Sequence, residues 1–189
     1  IARMCPEVTA DRGLLYPNDA LVDPVQVMCA LRRVLEQLGV ELLEYRRVQR
    51  ILPKKNSVTV DTEHGPVVGR HAVLAAGAWS GGIEVQGYQQ AASFPVKGHL
   101  AGYDLPAGSL GPILRREHTY ILQRSNGFTV AGSTAERVGF DHEIDLEKVE
   151  DIRRRAEAFY PRLAGVAPSR TWVGLRPATS ALVPEIGRL

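Results

Sequence analysis

Apolar residues recur at helical spacing between Pro24 and Leu38, where Val27, Leu31, Val34, Leu35 and Leu38 fall on one face. Asp23 stands where a cap is needed, Pro24 suits a first turn, and Gly39 ends the run. A second helical run follows Asp145, with Val149, Ile152, Ala156 and Phe159 in phase and Pro161 as its stop. Between the two, the pattern is shorter and strand-like. Residues 40–43 and 48–52 predict strands, and residues 57–62 alternate, with Val58 and Val60 on one face. Lys54-Lys55-Asn56 and His64-Gly65-Pro66 are turns by composition, the second leading into residues 67–69. Residues 72–77 are unbroken and apolar, the pattern of a strand buried on both faces in a parallel sheet.

Beyond Gly77 the pattern changes. Ser80-Gly81-Gly82 opens a stretch without helical period, so residues 80–92 are expected to be the crossing between two domains. Residues 94–103 and 112–116 read as strands, and residues 120–124 and 128–132 as a hairpin about Ser125-Asn126-Gly127. Residues 170–175 make a last strand, followed by a loop punctuated by Pro177 and Pro184. The expected fold is α+β. An α/β segment occupies residues 1–82, and a mainly antiparallel sheet with a flanking helix residues 83–170. A strand and loop, 171–189, return towards the first segment.

Composition narrows the classes of function. The 189 residues carry 23 basic and 21 acidic side chains, and a net charge of +2 does not call for a nucleic-acid partner. Arg46-Arg47 and Arg153-Arg154-Arg155 read as solvated faces. No apolar run approaches the roughly 20 residues of a membrane span, so membrane insertion is not expected. Cys5 and Cys29 are far apart, which suits neither a zinc site nor a disulfide scaffold and makes a reducing cytoplasm the default. The chain opens on Ile1 and closes on Gly187-Arg188-Leu189 without a capped element, and is expected to be a piece of a longer protein.

Several chemistries lack their residues. There is no G-x-G-x-x-G and no G-x-x-x-x-G-K-[ST], so these residues alone are not expected to cradle a pyrophosphate. His64, His71, His99, His118 and His142 have no metal-ligand spacing, and Ser80 and Ser133 lack a nucleophile elbow. Three features remain. Ala75, Ala76, Gly77, Ala78 and Trp79 close the apolar run, where small residues admit a flat ligand or merely a neighbouring helix. Arg176, in Gly174-Leu175-Arg176-Pro177, is placed at the expected strand end, either as a planar fork for a carboxylate or as a surface-paired cation. His118 and Tyr120 flank Thr119 on one side of an expected strand, facing a pocket or packing in a core.

The order of these signals resembles a known family. V-L-A-A-G-A-W-S at 73–80, P-V-K-G at 95–98, Y-I-L-Q-R at 120–124, A-G-S-T-A-E at 131–136 and W-V-G-L-R-P at 172–177 follow the Val22-Asp23-Pro24 helix and the Gly39-Val40-Glu41-Leu42 segment. Together they resemble the D-amino-acid-oxidase-like family of FAD-dependent oxidoreductases, in its glycine oxidase-like branch. The resemblance implies an incomplete member, without the family's amino-terminal dinucleotide fingerprint or its carboxyl-terminal flavin-contacting segment. It implies FAD in the full-length parent, contacted by Val48 and by Ala76, Gly77, Ala78 and Trp79. It makes Arg176 the clamp on a substrate carboxylate, Tyr120 a second substrate contact and His118 a neighbour. Ala135 stands where relatives place a larger residue, which implies a roomier amine side and speaks against glycine as substrate. The implied reaction is hydride transfer from an amino acid or secondary amine to flavin, leaving an imine, with no acid–base residue assigned. Two rivals stand beside it: a stand-alone, non-catalytic small-ligand or interaction module, and a flavin dehydrogenase or nucleic-acid-modification oxidoreductase.

Overall fold

The computed structural model describes residues 4–89 and 93–188, so residues 90–92 of the expected crossing lie outside the described residues. Helix α1 (Pro24–Gln37) forms where the 3.6-residue spacing predicts it. Asp23 Oδ1 accepts the backbone N–H of Val25 at 3.0 Å, and Gly39, at φ +68°, adopts the left-handed conformation that ends the helix. Its apolar face is nevertheless exposed, Leu31 by 50% and Val34 by 48%.

Strands β1 (Val48–Lys54), β2 (Ser57–Thr62) and β3 (Gly65–Gly69) make an antiparallel meander in which Ile51 pairs with Val60 and Val60 with Val67. After the 3₁₀ turn Gly77–Gly82, β4 (Glu84–Val85) joins β1 in parallel, giving the order β3-β2-β1-β4. Ile51, Val58, Ile83 and Val85 form this sheet's core, with Leu74 and Ala76 packed against it. Two expectations are corrected here. Residues 40–43 are irregular, and residues 71–76 run outside any ladder, with Val73 89% exposed rather than buried on both faces. A buried parallel strand needs a hydrogen-bonded neighbour on each edge, and among the described residues no strand pairs with either segment.

Strands β5 (Ser93–Asp104), β6 (Leu114–Arg116), β7 (Thr119–Gln123), β8 (Phe128–Gly132) and β9 (Arg170–Thr179) form a second sheet in the order β6-β7-β8-β5-β9. The β5–β8, β6–β7 and β7–β8 pairs are antiparallel. Helix α2 (Leu146–Phe159) buries the four in-phase residues, Val149, Ile152, Ala156 and Phe159, against Ala101, Tyr103, Ile121 and Ala131 of the sheet. Burying each large side chain contributes about 1.5–3 kcal/mol, which is what a helix of this length needs to persist. The fold is thus α+β.

Asp145 caps α2: its Oδ1 accepts the N–H groups of Glu147 at 2.9 Å and Lys148 at 3.4 Å. Asp145→Ala is expected to lower stability by about 1 kcal/mol, and Asp145→Asn by less, because asparagine keeps the accepting oxygen. Urea midpoints of the two variants check this; equal midpoints would mean that the cap is not the source of the loss.

The chain divides into two compact units, Ile1–Val27 with Lys97–Gly174, and Met28–Val96 with Leu175–Leu189. The first holds most of the five-stranded sheet and α2; the second holds the four-stranded sheet, the start of β5, the end of β9 and most of α1.

Candidate active site

Tyr120 in β7 pairs directly with Gly132 in β8, which in turn pairs with Leu100 in β5. A Cβ added to Gly132 would lie 3.0 Å from the Tyr120 Cζ and hydroxyl and 3.2 Å from Leu100 Cδ2. The tyrosine ring therefore lies across a glycine, which leaves it the room to do so. Thr119 and Ile121, the strand neighbours of Tyr120, are buried on the α2 side, where Arg155 Nη1 donates to Thr119 Oγ1 at 3.0 Å. Strand alternation puts Tyr120 on the opposite side, half-buried.

His118 is placed differently from the expectation. It precedes β7, in the turn after β6 where Glu117 takes a φ of +53°, so strand alternation does not align it with Tyr120. Its ring is exposed, and its carbonyl accepts the Ser133 N–H at 3.4 Å.

Ala135 is exposed, on the loop that leaves β8, and its two neighbours are tied to β5. The His99 N–H donates to Thr134 Oγ1 at 3.0 Å, while Lys97 and Glu136 exchange two backbone hydrogen bonds of 2.9 Å. Lys97, 3% exposed, carries its ammonium to Asp141, and that contact holds the Asp141 carboxyl below the usual carboxylate range. His99 is fully buried. Neither residue was assigned a role from the sequence. The available signal was a lysine and a histidine at alternate positions on the same side of an apolar strand as Ala101 and Tyr103.

Arg176 lies inside β9 rather than at a strand end, because the strand continues through Pro177 to Thr179. β9 is the outer strand of the sheet, where a residue without an N–H is tolerated. Along β9, Trp172, Gly174 and Arg176 alternate in phase. The Trp172 ring stacks on Phe128, with centroids 6.2 Å apart and planes at 28°, and Gly102 leaves space for both rings.

In the other unit, Val48 opens β1 and is half-buried. Ala76, half-buried, leads into the 3₁₀ turn that contains Gly77, Ala78 and Trp79. Gly77 has a φ of +56° and open space where a Cβ would stand, and its carbonyl accepts Ser93 Oγ at 3.0 Å. A cavity of about 300 Å³ lined by Asp104, Arg124, Phe128 and Arg170 includes none of the predicted site residues. Among the described residues, no group of three His, Cys, Asp or Glu is placed to hold a metal ion, and no helix is long and apolar enough to cross a membrane.

The family model described as FAD dependent oxidoreductase, DAO, matches residues 1–189. The chain belongs to the DAO family. Among its DAO-family relatives, the glycine oxidase of Bacillus licheniformis is 32% identical over 186 residues, covering 96% of this chain and 50% of that protein. The crystal structure of glycine oxidase from Geobacillus kaustophilus superposes with a TM-score of 0.88 at 24% identity, covering 100% of this chain and 52% of that one. L-proline dehydrogenase from P. horikoshii superposes equally well, with a TM-score of 0.88 at 22% identity over 100% of this chain and 53% of that one. At those identities the two structures speak for the fold. The chain spans about half the length of the relatives it matches.

The residues present fit one edge of an FAD site. The backbone about Gly77 carries no side chain and meets open space, which suits close approach of a flat group. The sequence contains no G-x-G-x-x-G, the pattern that holds a pyrophosphate in dinucleotide-binding folds.

Proposed function

We propose that this chain is part of an FAD-dependent oxidoreductase acting on an amino acid or a secondary amine, and that it supplies most of the substrate-binding residues and the tail of the FAD-binding region. The observation that carries this reading is the DAO match along all 189 residues. The placement of Tyr120 across Gly132 supports it, because a tyrosine seated on a sheet face opposite the helix presents its hydroxyl away from the core.

FAD, when bound, supplies the acceptor for the hydride that leaves the amine-bearing carbon. Val48 and the backbone of Ala76, Gly77, Ala78 and Trp79 would lie along it. Arg176 is the residue suited to bind the substrate carboxylate, through two parallel N–H···O bonds, and Tyr120 is a substrate contact. Ala135 leaves room at the amine end, so that an N-substituted or larger amino acid is preferred over glycine. Water hydrolyses the released imine to a 2-oxo acid and ammonia or an amine. Cys5 and Cys29, both free thiols, suit a reducing cytoplasm.

The full-length flavoprotein, assayed against amino acids and secondary amines with oxygen or a dye as acceptor, is expected to release the matching 2-oxo acid. If every amine is inert while flavin is bound, the reading fails. The 189-residue chain by itself is expected to be colourless when purified, since it lacks the loop that holds a pyrophosphate. A stoichiometric flavin absorption spectrum would overturn that expectation.

A further inference from the structure

His99 has no part in the reaction described above, yet both of its ring nitrogens are engaged. Its Nδ1 lies 3.0 Å from Thr134 Oγ1 and 3.0 Å from Glu136 Oε1, and its Nε2 accepts the backbone N–H of Asp145 at 3.0 Å. A backbone N–H only donates, so Nε2 presents its lone pair and the ring proton sits on Nδ1. That proton points at the Glu136 carboxylate, which also receives the Thr134 hydroxyl at 2.7 Å. One buried ring thus joins three elements: β5, the loop after β8, and the capped start of α2. Thr134 and Glu136 are the two neighbours of Ala135.

We propose that His99 is a positioning residue for substrate selection. By holding Thr134 and Glu136 it fixes where Ala135 stands, and so sets the width of the pocket at the amine end of the substrate. This inference rests on the reading that Ala135 lines that pocket. Three properties of the site support it. The bonds reach the loop on both sides of Ala135, so the segment cannot pivot about either one alone. The His99 ring is itself fully buried, so its nitrogens have no solvent to replace a lost partner. And a backbone shift of about one carbon–carbon bond length is worth as much to a pocket as one methylene, roughly 10- to 200-fold in discrimination.

The test uses the full-length flavoprotein and a matched pair of substrates, glycine and N-ethylglycine, which differ only at the amine. His99→Leu removes the ring bonds at similar volume and is expected to change the ratio of the two kcat/KM values by about tenfold or more. It is also expected to speed hydrogen exchange of the amides of residues 133–136. His99→Gln, whose amide both donates and accepts, is expected to restore most of the wild-type ratio. Ala135→Leu tests the underlying reading and is expected to disfavour N-ethylglycine. If Ala135→Leu shifts the ratio while His99→Leu leaves it unchanged, the positioning role is wrong and the pocket reading stands. If Ala135→Leu also leaves it unchanged, Ala135 does not line the pocket and both ideas fall. Should His99→Leu not fold, Thr134→Val deletes one hydroxyl at constant shape, and an unchanged ratio in that variant overturns the proposal.

Discussion

Arg176→Lys in the full-length flavoprotein is expected to weaken binding of amino-acid substrates by about 1–3 kcal/mol, the range of a hydrogen bond to a charged group. Lysine keeps the charge and loses the planar fork that meets both carboxylate oxygens, so the loss measures geometry rather than charge. Arg176→Ala is expected to do more, and to do it selectively. Amines that carry no carboxylate have no partner to lose, so the ratio of kcat/KM for an amino acid to that for its decarboxylated analogue should collapse while flavin content stays constant. The ratio decides the matter. An equal fall for both substrates, or loss of flavin from the variant, would show that Arg176 serves β9 structurally and that the carboxylate is held elsewhere.

Gly127→Ala is expected to destabilise the protein by about 3 kcal/mol, the sum of a left-handed backbone and an overpacked contact. Gly127 sits in the β7–β8 turn at φ +93°, and a Cβ there would stand inside the contact distance of the Leu105 carbonyl oxygen and 3.0 Å from the Ala107 nitrogen. Both neighbours are backbone, so neither can rotate aside. The same turn is closed by the Gly127 N–H donating to the Arg124 carbonyl at 2.9 Å and by the Gln123 side-chain amide donating to the Gly127 carbonyl at 3.1 Å. Gly139 provides the control, since it has a φ of +67° with nothing within 4 Å of an added Cβ. Gly139→Ala should cost only about 1 kcal/mol, the conformational part alone. Denaturant midpoints of the two variants separate strain from collision, and similar midpoints would remove the collision with Leu105.

Much of the architecture was legible in the chain because the interactions that specify it are local. Asp23 and Asp145 cap helices through bonds to residues two or three positions ahead, and the four core residues of α2 repeat at its own period. Asn126 and Gly127 turn the hairpin between strands a few residues apart, and the alternation of Val58 and Val60 lies within one strand. The family was legible by resemblance, in motifs such as those around Tyr120 and Arg176. Tertiary structure decided what depends on a distant partner. Residues 40–43 and 72–77 have strand-like composition, yet a strand exists only where another supplies its hydrogen bonds, and none of the described strands does so. Arg176 sits inside β9 because an outer strand tolerates Pro177. The partners of His99 lie 35 and 37 residues away, at Thr134 and Glu136, so nothing in the local sequence marks that histidine as the centre of a buried network. A side chain's neighbours within one turn or one strand follow from spacing alone, whereas those brought by sheet pairing follow only from register, which is set when the strands meet.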